Sequence, residues 1–148
     1  MCQDYIRAIT SSITPEDLSA LPVQTSITII GCGSPDLINH YASVTECHFP
    51  IYADPTRKLY DVLGMTSTLF GGSNQPEYQK RGILGMTVES IYQGLSTGTG
   101  ALKGGNFSQN GGEFLFENGK VTWCHRMKNT RDHTEVVDLQ KIIGMVPL

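Results

Sequence analysis

The residues able to do chemistry near neutral pH gather toward the two ends of the chain. Cys2 opens a stretch in which Tyr5, Ile6, Ile9 and Ile13 fall at helical separations, and a thiol at a helix N-terminus is shifted toward thiolate by the helix dipole. The run HRMKNTRDH (125–133) carries the densest set of titratable groups: His125, Arg126, Asp132 and His133. A neutral imidazole relays protons near pH 7, and a guanidinium holds a carboxylate or other oxyanion with two parallel bonds. Glu113, beside Gly111 and Gly112, is a general base if buried, since burial raises a carboxyl pKa. Tyr52, Asp54, Arg57 and Tyr60 make a further polar group in the first half. The catalytic candidates are therefore Cys2, His125, His133, Glu113 and Tyr52, and the substrate-binding candidates are Arg126, Asp54, Arg57, Gly111 and Gly112.

Each candidate also has a purely structural role open to it. Asp132 can cap the last helix, Arg126 can pair with a carboxylate such as Asp54, the histidines can orient loops, and Glu113 can be a solvated charge on a hairpin edge. Asp54-Pro55 reads most simply as a turn that starts a helix. Cys32 and Cys124 fit small buried thiols. Cys47-His48 and Cys124-His125 suggest a metal, but neighbours on a strand point to opposite faces, so no metal site is expected.

The elements that must position these groups are best defined at GGEFLFENGKVTWCHR (111–126). Phe114 and Phe116 alternate with Glu113, Leu115 and Glu117, Asn118-Gly119 supplies two residues that tolerate positive φ, and Val121 and Trp123 resume the alternation. This predicts a β-hairpin. Asp132 and Glu135 at capping-box distance then open the amphipathic run Val136, Leu139, Ile142, Ile143. Upstream, Thr14-Pro15-Glu16-Asp17 marks a fresh helix start, so residues 2–20 hold two short helices or one kinked helix. The β-branched run at 26–30 predicts an interior strand covered on both faces, ended by Gly31-Cys32-Gly33. Ser34-Pro35-Asp36 caps a helix bearing Leu37, Tyr41 and Val44, residues 49–54 form a short edge strand, and 56–63 form a helix stopped by Gly64. Most of the sixteen glycines crowd into a weakly periodic insertion at about 66–110, where only residues 88–95 look helical.

A chain of 148 residues makes one domain, 1–148, able to bury roughly two-thirds of its unfolded surface. The net charge of −3 and the dispersed basic residues leave no footprint for nucleic acid or an anionic membrane. No apolar run reaches the ~18–20 residues of a membrane span, and MCQDYIRAIT lacks the regions of a signal peptide, so the expected location is cytoplasmic. The four cysteines are widely spaced, which in a reducing compartment favours free thiols.

At YADPTRKLYDVLGM (52–65), Gly111-Gly112 and HRMKNTRDH (125–133) the chain resembles the peroxiredoxin-like branch of the alkyl hydroperoxide reductase/thiol-specific antioxidant (AhpC/TSA) family, and fungal members in particular. The resemblance implies an α/β thioredoxin-like fold. In that family a central strand leads into a Cys-x-x-Cys motif, and MCQDYI looks like its second half, which implies an N-terminal truncation that lacks the first central strand and the first, peroxidatic cysteine. Cys2 would then be the motif's second cysteine, without the family's own attacking role. The missing strand would lie between the strand at 26–31 and the hairpin strand at 112–117. An unpaired buried backbone group costs about 1–3 kcal/mol, so either those strands pair directly or a second protomer closes the gap, making a homodimer.

Three functions follow as expectations. The first is a cofactor-free small-molecule enzyme of specialised metabolism, an acid-base isomerase or cyclase whose His, Tyr and Glu side chains act in the family's cleft. The second is a thiol-dependent oxidoreductase or antioxidant using Cys2. The third is a non-catalytic dimer that binds a ligand.

Overall fold

In a computed structural model the chain is described over residues 2–67 and 109–146. Nearly all of the glycine-rich insertion, including the helical stretch expected at 88–95, lies outside those residues. The element order is α1 (Cys2–Ser12), α2 (Pro15–Ser19), β1 (Ile29–Gly31), a single 3-10 turn (Pro35–Leu37), α3 (Ile38–Thr45), β2 (Ile51–Ala53), α4 (Lys58–Val62), β3 (Gly112–Glu117), β4 (Lys120–Arg126) and α5 (Val136–Ile142). The class is α/β, as expected.

The core forms on one face of α1. Tyr5, Ile6 and Ile9 are buried there with Ile13, Leu18 and Phe49, and Val136, Leu139 and Ile143 of the last helical segment pack against them. The helical spacing of these residues makes that face continuous. Two bonds lock the helices around it: Arg7 Nε donates to Val44 O at 3.1 Å, tying α1 to α3, and Gln140 Nε2 donates to Ser12 O at 3.0 Å, tying α5 to α1. Between α1 and α2 the chain breaks at Thr14, whose hydroxyl accepts from the Asp17 N–H at 3.1 Å while Asp17 Oδ2 accepts from the Thr14 N–H at 2.9 Å. This is a complete capping box with Pro15 just inside it, so two helices form rather than one kinked helix.

The strands make two separate two-stranded sheets among the described residues. β1 and β2 are parallel, with Ile29 opposite Ile51 and Ile30 opposite Tyr52. β3 and β4 are antiparallel, turning at Asn118 and Gly119 with φ of 51° and 76°. The register slips between Leu115 and Phe116, so Thr122 is an extra residue on β4. β1 and β3 do not pair with each other, which removes direct pairing as the way the expected gap closes. β1 is also shorter and more open than an interior strand, since Ile30 is 40% exposed. Burial on both faces was inferred from an unbroken apolar run, and only the Ile29 side faces the core.

The insertion is drawn together at its base. Asn110 N donates to Thr66 O at 2.9 Å, and Ser67 bridges Gln109 in antiparallel fashion. Residues 111 onward therefore start the hairpin from a fixed point. Gly111 O then accepts from the N–H of buried Met127 at 3.1 Å, which fixes where the chain leaves β4.

Candidate active site at the start of the first helix

Pairing on an antiparallel ladder puts opposed residues on one face. Glu113 lies opposite His125, and Leu115 opposite Trp123, so these four share a face, while Phe114, Cys124 and Arg126 take the other. The loop after β4 comes back over the first face. His125 Nε2 donates to the backbone carbonyl of Asp132 at 2.6 Å, and Asp132 Oδ2 accepts from the Lys128 N–H at 2.8 Å. These bonds fold residues 128–132 into a compact turn and deliver the next residue, His133, to Glu113.

His133 Nδ1 donates to Glu113 Oε1 at 2.7 Å, with the two side chains only 9% and 11% exposed. The second carboxylate oxygen accepts from the Thr134 hydroxyl at 3.2 Å and, more weakly, from the Thr134 N–H at 3.4 Å. Tyr5 stacks on the imidazole with ring centroids 4.1 Å apart and planes at 16°. The ring is thus fixed in plane by Tyr5 and in rotation by Glu113. With Nδ1 committed to Glu113, the imidazole interacts with the Cys2 thiol, one turn along α1 from the Tyr5 ring on which it stacks.

Cys2 begins α1, and Tyr5 sits one turn further along the same face. Residue 2 as a whole is exposed, yet protein crowds its sulfur. That desolvation pushes the thiol pKa up, but the hydrogen bond and positive charge of His133 outweigh it, and the net shift is downward. His133 responds in the opposite sense. Its own burial lowers its pKa, while the hydrogen bonds and negative charges of Cys2 and Glu113 raise it to about 9. The two shifts act together: each favours the thiolate–imidazolium form of the Cys2–His133 pair over the neutral one. Tyr41 and Tyr60 complete the surroundings. Burial, followed in each case by nearby thiolate charge including that of Cys2, raises both phenols, so they stay protonated.

Three of the five catalytic candidates, Cys2, His133 and Glu113, are brought together across the whole length of the chain. His125 is next to them as the residue that anchors the loop, with its Nε2 taken by Asp132 O. Tyr52 is not brought in: it stands 60% exposed on β2 beside Ile30. Asp54 closes the turn before α4, accepting from Thr56 Oγ1 at 2.7 Å and the Leu59 N–H at 2.8 Å, and the first of these bonds lowers its pKa. Arg57 precedes α4 with φ of 59°. Arg126 pairs with neither Asp54 nor the cluster. Its Nε donates to Leu63 O at 2.6 Å, its Nη1 lies 3.2 Å from Cys124 Sγ, and its guanidinium covers the Phe114 ring at 5.6 Å. Gly112 is required for packing, since a Cβ there would stand 2.6 Å from His125 O, and Gly111 backs onto Met127.

Asp132 does not cap the last helix. α5 starts later, with Glu135 at its N-cap position and no side-chain cap bond, because the Asp132 carboxylate is used inside the turn. Tyr5 and Thr134 are the site residues that sequence reasoning passed over. A signal existed for each: Tyr5 lies three residues from Cys2 on one helix face, and Thr134 adjoins His133. Among the described residues no three His, Cys, Asp or Glu side chains converge as metal ligands, and no helix is long and apolar enough to cross a membrane.

Residues 10–129 match the AhpC/TSA antioxidant enzyme family, to which the chain therefore belongs. Among curated proteins it is similar to Peroxiredoxin-like 2C of Mus musculus, 23% identical over 155 residues that cover 100% of this chain and 65% of that protein. It is similar likewise to Peroxiredoxin-like 2C of Homo sapiens (23% over 152 residues, 98% and 63%) and of Takifugu rubripes (26% over 147 residues, 97% and 64%). The chain thus spans a little under two-thirds of the length of these relatives. No solved structure matches it. The family match takes in Glu113 and His125 but stops short of both Cys2 and His133.

Proposed function

We propose that this protein is a thiol-dependent oxidoreductase in which Cys2 is the attacking sulfur. The observation that carries this reading is His133, held by Glu113 at 2.7 Å and stacked on Tyr5, one turn along α1 from Cys2, whose thiol pKa it lowers. A thiolate held beside an acid is matched to cleaving a weak bond with a basic leaving group. With a hydroperoxide, the Cys2 sulfur bonds to the terminal oxygen, the O–O bond breaks, and the departing alkoxide takes its proton from His133. The products are an alcohol and a sulfenic acid, which one external thiol converts to a mixed disulfide with loss of water and a second returns to the free thiol, releasing the external disulfide. Membership of an antioxidant enzyme family supports the same chemistry. Mass spectrometry after stoichiometric hydroperoxide and a sulfenic-acid trap tests it: the label is expected at Cys2 first, and labelling spread evenly over the four cysteines overturns it.

A second reading keeps the acid-base isomerase or cyclase expected from the sequence. The buried His133–Glu113 pair is complete without sulfur and can move a proton on a small-molecule ligand with no cofactor. Cys2→Ser separates the two, since turnover of a non-redox ligand survives it and thiol chemistry does not. In either case we propose that the protein works as a homodimer, which the edges left unpaired on the two short sheets among the described residues support. Light scattering at working concentration reads the mass directly.

A further inference from the structure

Breaking an O–O or S–S bond asks for a thiolate and an acid, and the imidazolium of His133 supplies the acid unaided. Glu113 adds something that chemistry does not use. It fixes the tautomer of the ring through the 2.7 Å bond to Nδ1, and its own rotation is stopped by Thr134, so that the deprotonated imidazole would carry its basic lone pair at Nε2. The stack on Tyr5 holds the ring plane while this happens. Nucleophile, imidazole and orienting carboxylate in this order are the working parts of acyl transfer, recognised by geometry and role rather than chain order. α1 runs for 11 residues from Cys2, so the positive end of its dipole, at the first turn, lies on the sulfur's side, where a tetrahedral oxyanion would need positive potential. Asp4, the acidic residue of that turn, is drawn off by Arg7 at 3.0 Å.

We propose that Cys2, His133 and Glu113 form an acyl-transfer triad that accepts activated carboxylic acid derivatives, namely esters and thioesters. This rests on the thiolate reading of Cys2 but requires no oxidant or reductant. The Cys2 sulfur bonds to the carbonyl carbon, and the bond from that carbon to the leaving oxygen or sulfur breaks. The leaving group takes the proton of His133. The imidazole, now neutral, removes a proton from water, whose oxygen bonds to the acyl carbon. The C–S bond then breaks, giving the free acid and restoring thiolate and imidazolium.

The test uses the full chain and p-nitrophenyl acetate. One acetyl group is expected on Cys2 by intact mass and peptide mapping, followed by turnover. In Glu113→Gln acylation persists while hydrolysis of the acyl-enzyme slows by about 10²-fold, so the adduct accumulates. Should that variant fail to fold, the wild-type pH profile of deacylation serves instead. It rises as His133 loses its proton, with a midpoint below the value of about 9 in the free enzyme, because acylation removes the thiolate charge that raises it. An acetyl-Cys2 that hydrolyses no faster than a free thioester overturns the proposal. If iodoacetamide still alkylates Cys2 faster than a free thiol below the ordinary thiol range, the thiolate reading stands without it, and if that advantage is also absent both fall.

Discussion

Cys2 and Cys124 each lie against a basic side chain, but the two neighbours differ in what they can do with a proton. Arg126 is permanently charged, and its donors are spent on holding the hairpin to the end of α4 through Leu63 and on covering Phe114. Cys124 is one more contact of that clamp. His133 can give up its proton and take it back, and its other nitrogen is secured by a carboxylate that is itself secured. The difference teaches that a reactive thiol needs a neighbour that is oriented and titratable, and that positive charge alone builds structure.

The widest separation between the two sites is expected from removing the sulfurs. Cys2→Ser should lower thiol-dependent turnover by at least ~10³-fold, whereas Cys124→Ser leaves it unchanged, as read by steady-state kinetics on the two variants. Next comes the acid. His133→Gln should cost roughly 10²–10⁴-fold, with the larger losses on substrates whose leaving groups are most basic, so a leaving-group series measures it.

Acidity gives the third contrast. His133 has a raised pKa, so its contribution to stability is complete below the unfolded imidazole value of about 6.5 and is lost as pH rises through about 9. Cys2 has a lowered pKa, so its contribution is present above the ordinary thiol value and is lost as pH falls through the lowered one. Activity that needs thiolate and imidazolium together should therefore fall on the alkaline side near 9, and His133→Gln should abolish that limb in a pH–rate profile.

The smallest effects belong to the structural clamp. Arg126→Lys loses the planar fork that reaches Leu63 and should destabilise the fold by about 1 kcal/mol with turnover unaltered, measured by urea unfolding beside kinetics. Gly112→Ala reports on the hairpin at similar scale: its Cβ would stand 2.6 Å from His125 O, and the strain should cost about 1–3 kcal/mol.

Local chemistry made the hairpin readable, because Asn118-Gly119 and the alternation around it determine both turn and faces. The core face of α1 was readable from the spacing of Tyr5, Ile6, Ile9 and Ile13 for the same reason. Cys2, His133 and Glu113 were each legible as residue types in suggestive settings. Their meeting was not, since it depends on the Met127 and His125 bonds that swing the loop after β4 over the hairpin, and periodicity carries no trace of contacts between distant segments. Asp132 misled for an instructive reason. A carboxylate three residues before Glu135 satisfies the capping pattern, but a competing backbone donor, the Lys128 N–H, engages it at 2.8 Å. The bulge at Thr122 and the exposure of Ile30 are likewise set by what packs alongside, which the run of residue types does not contain.

The central claim is that His133 keeps Cys2 ionised, and the rate of iodoacetamide alkylation at Cys2 against pH tests it most directly, followed by peptide mass spectrometry in the wild type and in His133→Gln. The wild-type rate should level off below the range of a free thiol such as N-acetylcysteine, and His133→Gln should move the rise back up to that range. A Cys2 that titrates like the free thiol, or a profile that His133→Gln leaves in place, would contradict the account.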